Sequence, residues 1–254
     1  LNWLDMRRAL LIADGRPDID PSSIDINEAQ RLIELYPAIV SRHFMRRFDA
    51  FMKYIKNNNE VLGGKVKDYW WRIEFQNRGS PHVHMVVWIE NAPLFETEDG
   101  IKLIDKVISC YLPSEQEDAE LNDLVKRNQI HRHKNTCYKN DTGSCRFGYP
   151  RDPSEQTRII STTSDEFVRN CGKICVLKRR SEDKFVNNYC PMILALWDGN
   201  MDIQPCGTNE AIAHYVAKYI SKSEPTNVDS GIAQAIGNIQ QEADSPIRQQ
   251  LFKA

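Results

Sequence analysis

The chain has 254 residues with 33 Lys and Arg against 35 Asp and Glu, so its formal net charge is −2. Bulk charge therefore does not indicate a nucleic-acid-binding protein, although the length suffices for one large domain with a substantial core. Seven cysteines, an odd number, occur without a signal peptide or a long apolar run. We therefore expect a reducing, intracellular setting, no membrane span, and metal-bound or free thiols.

The N-terminal third reads as helical. Apolar residues at helical spacing predict helices over about 1–13, over 29–35, and from Pro37 to about residue 55. Asp25 or Asn27 is placed to cap the second of these helices.

Residues 69–90 then change to an alternation of apolar and polar side chains, which predicts a β-hairpin. The turn residues lie around Gly79. A turn centred there pairs Gln76 with His82 and Glu74 with His84, on the face opposite the apolar side chains.

That polar face is a candidate metal site. His82 and His84 point the same way because they are two residues apart on a strand, and cross-strand neighbours lie about 5 Å away. Imidazoles with an oxygen donor from Gln76 or Glu74 suit Mn²⁺, Mg²⁺ or Zn²⁺. The alternative is that these are two ordinary histidines on a half-exposed strand.

An acidic stretch over 113–124 precedes a basic segment that begins at Lys126. The basic segment contains four nitrogen and sulfur donors within fifteen residues, a set that suits a tetrahedral structural Zn²⁺. These donors are His131, His133, Cys137 and Cys145. Scattered loop residues with a buried cysteine or two are the competing interpretation, and Cys171 or Cys175 could supply a ligand instead.

A helix is predicted over 210–222, where two overlapping Tyr-x-x-Lys motifs share one face. They consist of Tyr215 with Lys218 and Tyr219 with Lys222. Two packing aromatics are the ordinary interpretation. Combined with a metal site that polarises a phosphate, however, a tyrosine beside a cation can act as a nucleophile.

The stretch Glu74–His84, with Phe-Gln before the turn and His-Val-His after it, resembles the signature of the replication-initiator-like nuclease domain of Helitron transposases. These are members of the His-hydrophobe-His (HUH) endonuclease superfamily. The resemblance extends to Cys-Arg-Phe-Gly-Tyr-Pro at 145–150, to 197–204, and to 214–222, in family order.

The resemblance implies a rolling-circle nuclease and strand transferase that nicks single-stranded DNA at a transposon end, with a helicase domain fused to it in the full-length protein. It would leave a 5′-phosphotyrosine and a free 3′-hydroxyl. Its catalytic metal would be Mn²⁺ or Mg²⁺, and a eukaryotic member would work in the nucleus. By the resemblance, His82, His84 and Gln76 would be the metal ligands, with Glu74 as the alternative third ligand. The nucleophiles would be Tyr215 and Tyr219. Lys218 and Lys222 would stabilise the developing negative charge.

The fold implied is α+β, with a central antiparallel sheet that carries the hairpin in its middle, helices on one face and the metal site on the other. We expect the nuclease domain to span 1–225, with a zinc-binding insertion around 126–175 and a C-terminal helical extension over 226–254. Candidate DNA-contacting residues, chosen for cationic or stacking side chains, are Arg72, Arg78, Trp88, Arg146 and Arg151.

Two other functions compete with this one. A non-catalytic, zinc-stabilised nucleic-acid-binding module would bind without cleaving. A different His-x-His metalloenzyme is disfavoured because Val86 stands where a β-lactamase-like hydrolase needs Asp and a histidine-triad hydrolase needs His.

Overall fold

A computed structural model describes residues 3–75, 80–138, 143–206 and 209–220 of the chain. Its helices and strands are α1 (Leu4–Ala13), α2 (Ile26–Leu35), α3 (Pro37–Asn57), β1 (Val66–Phe75), β2 (Pro81–Ile89), α4 (Glu98–Val107), α5 (Glu115–Asn128), β3 (Arg158–Ile159), α6 (Asp165–Arg169), β4 (Cys175–Val176), α7 (Pro191–Trp197) and α8 (Asn209–Ile220). Contacts within the chain divide it between Tyr219 and Ile220, so nearly all of these elements belong to the first unit.

Helices α1, α2 and α3 pack together, as predicted, and supply most of the main core. Asp25 caps α2 because its side chain accepts a hydrogen bond from the Glu28 backbone N–H, which would otherwise lack a partner. Pro37 begins α3, where its fixed φ fits the first turn. The buried stripe of α3 consists of Val40, Phe44, Phe48, Phe51, Met52 and Ile55.

The predicted hairpin is formed by β1 and β2, which pair in antiparallel fashion. Its apolar face packs on the main core through Ile73, Val83 and Met85. The Trp71 ring meets the Phe48 ring of α3 at 5.0 Å between centroids. Because side chains alternate along a strand, the polar side chains of the candidate metal site lie on the opposite face.

The register of the hairpin differs from the expected one by two residues. Glu74 pairs with His82, and Arg72 pairs with His84. The predicted pairing of Gln76 with His82 and of Glu74 with His84 was therefore wrong. The pairing of Phe75 with Pro81 leaves five residues, 76–80, between the two strands, and loop length sets register. A shift by two residues keeps every side chain on its face, so the alternation pattern could not reveal it.

The described sheets are small. β1–β2 and β3–β4 each form a sheet of two strands, so within the described ranges the hairpin does not lie in the middle of a larger sheet, contrary to our expectation. In the second sheet, regular pairing is limited to Arg158–Ile159 and Cys175–Val176. The Lys178 backbone N–H bonds the Thr157 hydroxyl at 2.9 Å, and backbone pairing resumes at a bridge between Ser154 and Arg179.

A second, smaller core lies between α5 and α7. It is formed by buried Leu124, Val125, Val186, Tyr189 and Leu194. Helices α5 and α7 thus pack against each other.

A buried arginine ties the segments around this smaller core together. The Arg179 guanidinium donates hydrogen bonds to the carbonyls of Cys110, Asp183 and Val186 and to the Asn188 side-chain oxygen, at 2.7–3.2 Å. Burial lowers the pKa of Arg179, but an arginine stays charged at neutral pH. The charge is therefore compensated by dipoles of several segments.

The first helix is joined to α7 by an aromatic cluster. The Trp3 indole N–H is shared between the carbonyls of Trp197 and Asp198, at 3.0 and 2.9 Å. The Trp3 and Trp197 rings meet edge to face at 5.1 Å, and Phe44 contacts both rings.

The last described helix, α8, spans Asn209–Ile220, close to the start of the helix predicted over 210–222. The helical extension predicted over 226–254 lies outside the described residues. Among the described helices, each is too short or too polar to cross a bilayer.

Candidate functional site

The polar face of the hairpin brings together the histidine pair and one carboxylate. Glu74 lies directly across from His82 and reaches diagonally to His84, where its Oε2 is 3.0 Å from the His84 Nε2. The His82 and His84 rings are 4.8 Å apart between centroids. The side chains of His84 and Glu74 are 13% and 25% exposed, so the pair is shielded but can be reached from solvent.

Helix α8 adds a tyrosine to this group. The Tyr215 hydroxyl lies 3.2 Å from the other ring nitrogen of His84, Nδ1. Glu74, His84 and Tyr215 thus form a continuous carboxylate–imidazole–phenol chain, although 131 residues separate His84 from Tyr215 in the sequence. The Helitron resemblance likewise implies a tyrosine that acts together with this histidine pair.

The contact between His84 and Glu74 is direct in this structure. The 3.0 Å distance between His84 Nε2 and Glu74 Oε2 is that of a hydrogen bond or ion pair. The His82 ring lies beside the His84 ring, so two imidazoles and one carboxylate share this face of the hairpin. Imidazole nitrogens and carboxylate oxygens are ligand types that divalent ions accept.

Several predicted site residues lie outside the described part of the chain, namely Gln76, Arg78 and Lys222. The backbone positions of Lys218 and Tyr219 lie in α8, but their side chains are likewise outside it. On the backbone alone, Tyr219 is one helical turn beyond Tyr215.

The predicted DNA-contacting side chains divide into two groups. Arg72 and Trp88 are half-buried on the metal-site face of the hairpin, where Arg72 is directly across from His84. Arg146 and Arg151 belong instead to the segment that carries the second candidate metal site.

That second site is the predicted His/Cys cluster, and the grouping is confirmed. The ligand atoms of His131, His133, Cys137 and Cys145 all lie within 4.8 Å of one another. Both cysteines are buried. Cys171 and Cys175, the alternative donors, are not part of this group in the described residues.

The cluster has the composition and spacing of a zinc site. The His131 Nε2 is 3.7 Å from the Cys137 sulfur and 3.5 Å from the Cys145 sulfur. Nitrogen and sulfur ligands of a tetrahedral zinc are about 3.5 Å apart. Burial and the neighbouring His133 and Arg151 lower the pKa of His131, which favours the neutral imidazole that binds metal. The four residues could therefore bind a metal such as zinc.

Aromatic side chains surround the cluster. The Tyr149 ring stacks on His131 at 4.1 Å with planes 7° apart, and its hydroxyl donates to Asn187. Phe185 packs edge-on against His133 at 5.7 Å, while its carbonyl accepts the His131 backbone N–H. These contacts orient both imidazoles.

Sequence reasoning missed these supporting residues. Tyr149 lies within the Cys-Arg-Phe-Gly-Tyr-Pro motif that includes Cys145. Phe185 lies forty residues after Cys145, so only the fold brings Phe185 to the cluster. Arg151, chosen as a DNA contact, also has a local task. It donates to the Phe147 carbonyl and to Asn170, and it lies over the Tyr149 ring.

Residues 2–87 match the family model described as the Helitron helicase-like domain at the N-terminus. This part of the chain is similar to a Helitron domain. The matched part runs from α1 into β2 and contains Glu74, His82 and His84, whereas the His/Cys cluster and Tyr215 lie beyond it.

The match indicates a Helitron transposase context for the chain, and it fits a fusion to a helicase. No curated protein matches the sequence.

Proposed function

We propose that the chain is a metal-dependent single-stranded DNA endonuclease and strand transferase of a rolling-circle, Helitron-type transposase. The observation that carries the proposal is the contact of the Tyr215 hydroxyl with His84, whose other nitrogen meets Glu74. A tyrosine beside a metal-ligand set is what phosphodiester transesterification needs, and the Helitron match over 2–87 supports the same context.

His82, His84 and Glu74 would hold a Mn²⁺ or Mg²⁺ ion, with His84 binding through Nε2. When bound, the ion supplies Lewis-acid polarisation of the scissile phosphate. Glu74 takes the place of Gln76 as our favoured oxygen ligand because the observed register sets Glu74, not Gln76, across from His82. Gln76 remains the alternative.

His84 then has a second task. If Nε2 held the metal, Nδ1 would carry the proton and would donate a hydrogen bond to the Tyr215 oxygen, which lies 3.2 Å away. A hydrogen bond donated to this oxygen favours the phenolate form, which is the nucleophile. The same imidazole therefore orients both the metal and the attacking oxygen.

In the cleavage step, the Tyr215 oxygen attacks phosphorus, so that a phosphorus–phenol oxygen bond forms while the bond to the 3′ oxygen breaks. The tyrosine loses its proton, and the departing 3′ oxygen gains one. The products are a 5′-phosphotyrosine and a free 3′-hydroxyl. Attack by a 3′-hydroxyl on the phosphotyrosine reverses these changes and joins strands without an outside energy source.

The second tyrosine makes strand transfer possible without release of the first strand. Tyr219 follows Tyr215 by one turn of α8, so the two can act in succession at one phosphate. Lys218 and Lys222 would stabilise the developing negative charge, and Arg72, Arg78 and Trp88 would contact the strand near the metal. We favour Tyr215 for the first cut because its hydroxyl contacts His84.

The test is to incubate the protein with labelled single-stranded oligonucleotides and Mn²⁺ or Mg²⁺ and to look for a covalent adduct on denaturing gels. Tyr215→Phe should abolish the adduct, and Tyr54→Phe is the matched control because Tyr54 is an exposed tyrosine on α3. Replacing both His82 and His84 by Ala should lower the rate by orders of magnitude. His43→Ala is the histidine control.

Mass spectrometry of the trapped adduct identifies the nucleophile. An adduct on neither Tyr215 nor Tyr219, or full nicking by the variant with Phe at both positions, would overturn the mechanism. Binding of DNA with no adduct under any metal would point instead to the non-catalytic binding module, which the His/Cys cluster could stabilise.

A further inference from the structure

Two exposed aromatic rings lie beside the His/Cys cluster. Tyr138 and Phe147 are each 43% exposed. The Tyr138 ring is 5.6 Å from the His133 ring, and the Phe147 ring is 5.9 Å from the His131 ring, between centroids. We call these two residues the ring pair. Each member thus touches one histidine of the cluster while it leaves a surface open to solvent.

The sequence segments that carry the ring pair and the cluster are basic, unlike the chain as a whole. The segments 131–138, 143–151 and 184–185 contain five Lys or Arg residues and no Asp or Glu, whereas the whole chain has a net charge of −2. These five residues are Arg132, Lys134, Arg146, Arg151 and Lys184. A polyanion would therefore meet a favourable local field here.

Cations also lie directly over aromatic rings in this region. The Arg146 guanidinium is 4.5 Å from the centre of the Phe147 ring, and the Lys184 ammonium is 5.6 Å from that of Phe185. Exposed aromatic rings interleaved with cations are the features by which proteins bind unpaired nucleotides, because bases stack on the rings while cations meet the phosphates.

We propose that Tyr138 and Phe147 form a second contact surface for single-stranded DNA, separate from the hairpin site and held in shape by a metal in the His/Cys cluster. The proposal rests on the proposed function only in taking DNA as the nucleic acid. Paired bases offer no free face, so a duplex is bound less well at this surface.

The metal matters because the ring pair is attached to its ligands. Tyr138 directly follows Cys137, and Phe147 follows Cys145 by two residues. The Arg146 backbone N–H bonds the Cys137 carbonyl at 2.9 Å, which links the two short ligand segments. Both rings also rest on ligand histidines. Loss of the metal would therefore release all four ligands and both rings together.

The test measures binding, not cleavage. A Tyr215→Phe background without Mn²⁺ or Mg²⁺ is titrated against fluorescein-labelled oligothymidylate, and fluorescence anisotropy gives the Kd. We expect Tyr138→Ala and Phe147→Ala each to raise the Kd by about 5- to 150-fold, the range for loss of one stacked base. Removal of zinc by a chelator should raise the Kd of the parent protein by a similar factor. It should raise the Kd of the variant with Ala at both positions only slightly further.

The matched control is Tyr111→Ala. Tyr111 is 42% exposed and has the Arg180 guanidinium 5.5 Å from its ring, but Arg180 is paired with Glu182 and Asp183, so the surroundings are acidic. Its Kd should equal that of the parent. Phe147→Leu separates stacking from packing, since leucine fills the space beside His131 without an aromatic face. It should weaken binding while zinc content stays unchanged.

An unchanged Kd in the double Ala variant would overturn the proposal, and so would an equal loss in Tyr111→Ala or equal binding of a duplex. The result is independent of the nuclease: weakened binding without any adduct formation in the wild type would sink the proposed function alone. Efficient adduct formation by the wild type, together with an unchanged Kd in the ring-pair variants, would refute this inference alone.

Discussion

Replacing Arg179 by Met should be among the most damaging single changes to the stability of the fold. The residue is 7% exposed and donates four hydrogen bonds, three of them to backbone carbonyls. Each bond from a charged donor contributes about 1.5–3 kcal/mol. The loss of these bonds is partly offset, because the variant no longer has to bury a charge, which costs several kcal/mol. We therefore expect the free energy of unfolding to fall by about 3–5 kcal/mol.

The assay is urea unfolding followed by circular dichroism, with Arg127→Met as the control. Arg127 pairs with Asp123 and Asp198 but its side chain is 42% exposed, so its loss should change the unfolding free energy by less than about 1 kcal/mol. Arg179→Lys should be intermediate, because an ammonium keeps the charge but cannot match the fork of bonds. Equal unfolding midpoints for Arg179→Met and Arg127→Met would refute the reasoning.

Three further outcomes follow from the structure. Protein purified without added zinc should contain about one equivalent, which Cys137→Ser should largely remove; less than about a tenth of an equivalent in well-folded wild-type protein would reject the zinc site. Hydrogen bonds from Arg31 and then Arg16 lower the pKa of Glu28 from 4.5 to about 2. The folding stability that this carboxylate contributes is present above pH 4.5 and should be lost as the pH falls toward 2. Glu28→Gln should therefore reduce the loss of stability measured in acid titrations. A Cβ added at Gly100 would overlap the Leu94 carbonyl, so Gly100→Ala should lower the melting temperature, and an unchanged value would contradict this packing.

Much of the helical part of the fold was predictable because its signals are local. The stripe on α3, the cap at Asp25 and the proline that begins α3 all lie within a few residues of what they determine. The His/Cys cluster was predictable for a similar reason, since its four donors lie within fifteen residues and thiols with imidazoles favour one kind of ligand.

The rest depended on information that no local pattern contains. The alternation placed Glu74 on the correct face, but loop length decided that Glu74 lies across from His82. The tasks of Phe185 and Arg179 arise from carbonyls and rings contributed by distant segments. The position of Tyr215 beside His84 followed from the family resemblance and not from periodicity.

The contact between Trp3 and Trp197 has a consequence for how the chain is made. The Trp3 indole donates to a carbonyl 194 residues later, so its final partner does not exist when the first helix leaves the ribosome. At about 5–20 residues per second, translation of the 194 residues that separate these two partners takes about 10–40 s. During that interval Trp3 has Phe44 but lacks the α7 side of its site, which leaves a large apolar ring open to chaperones on every nascent chain.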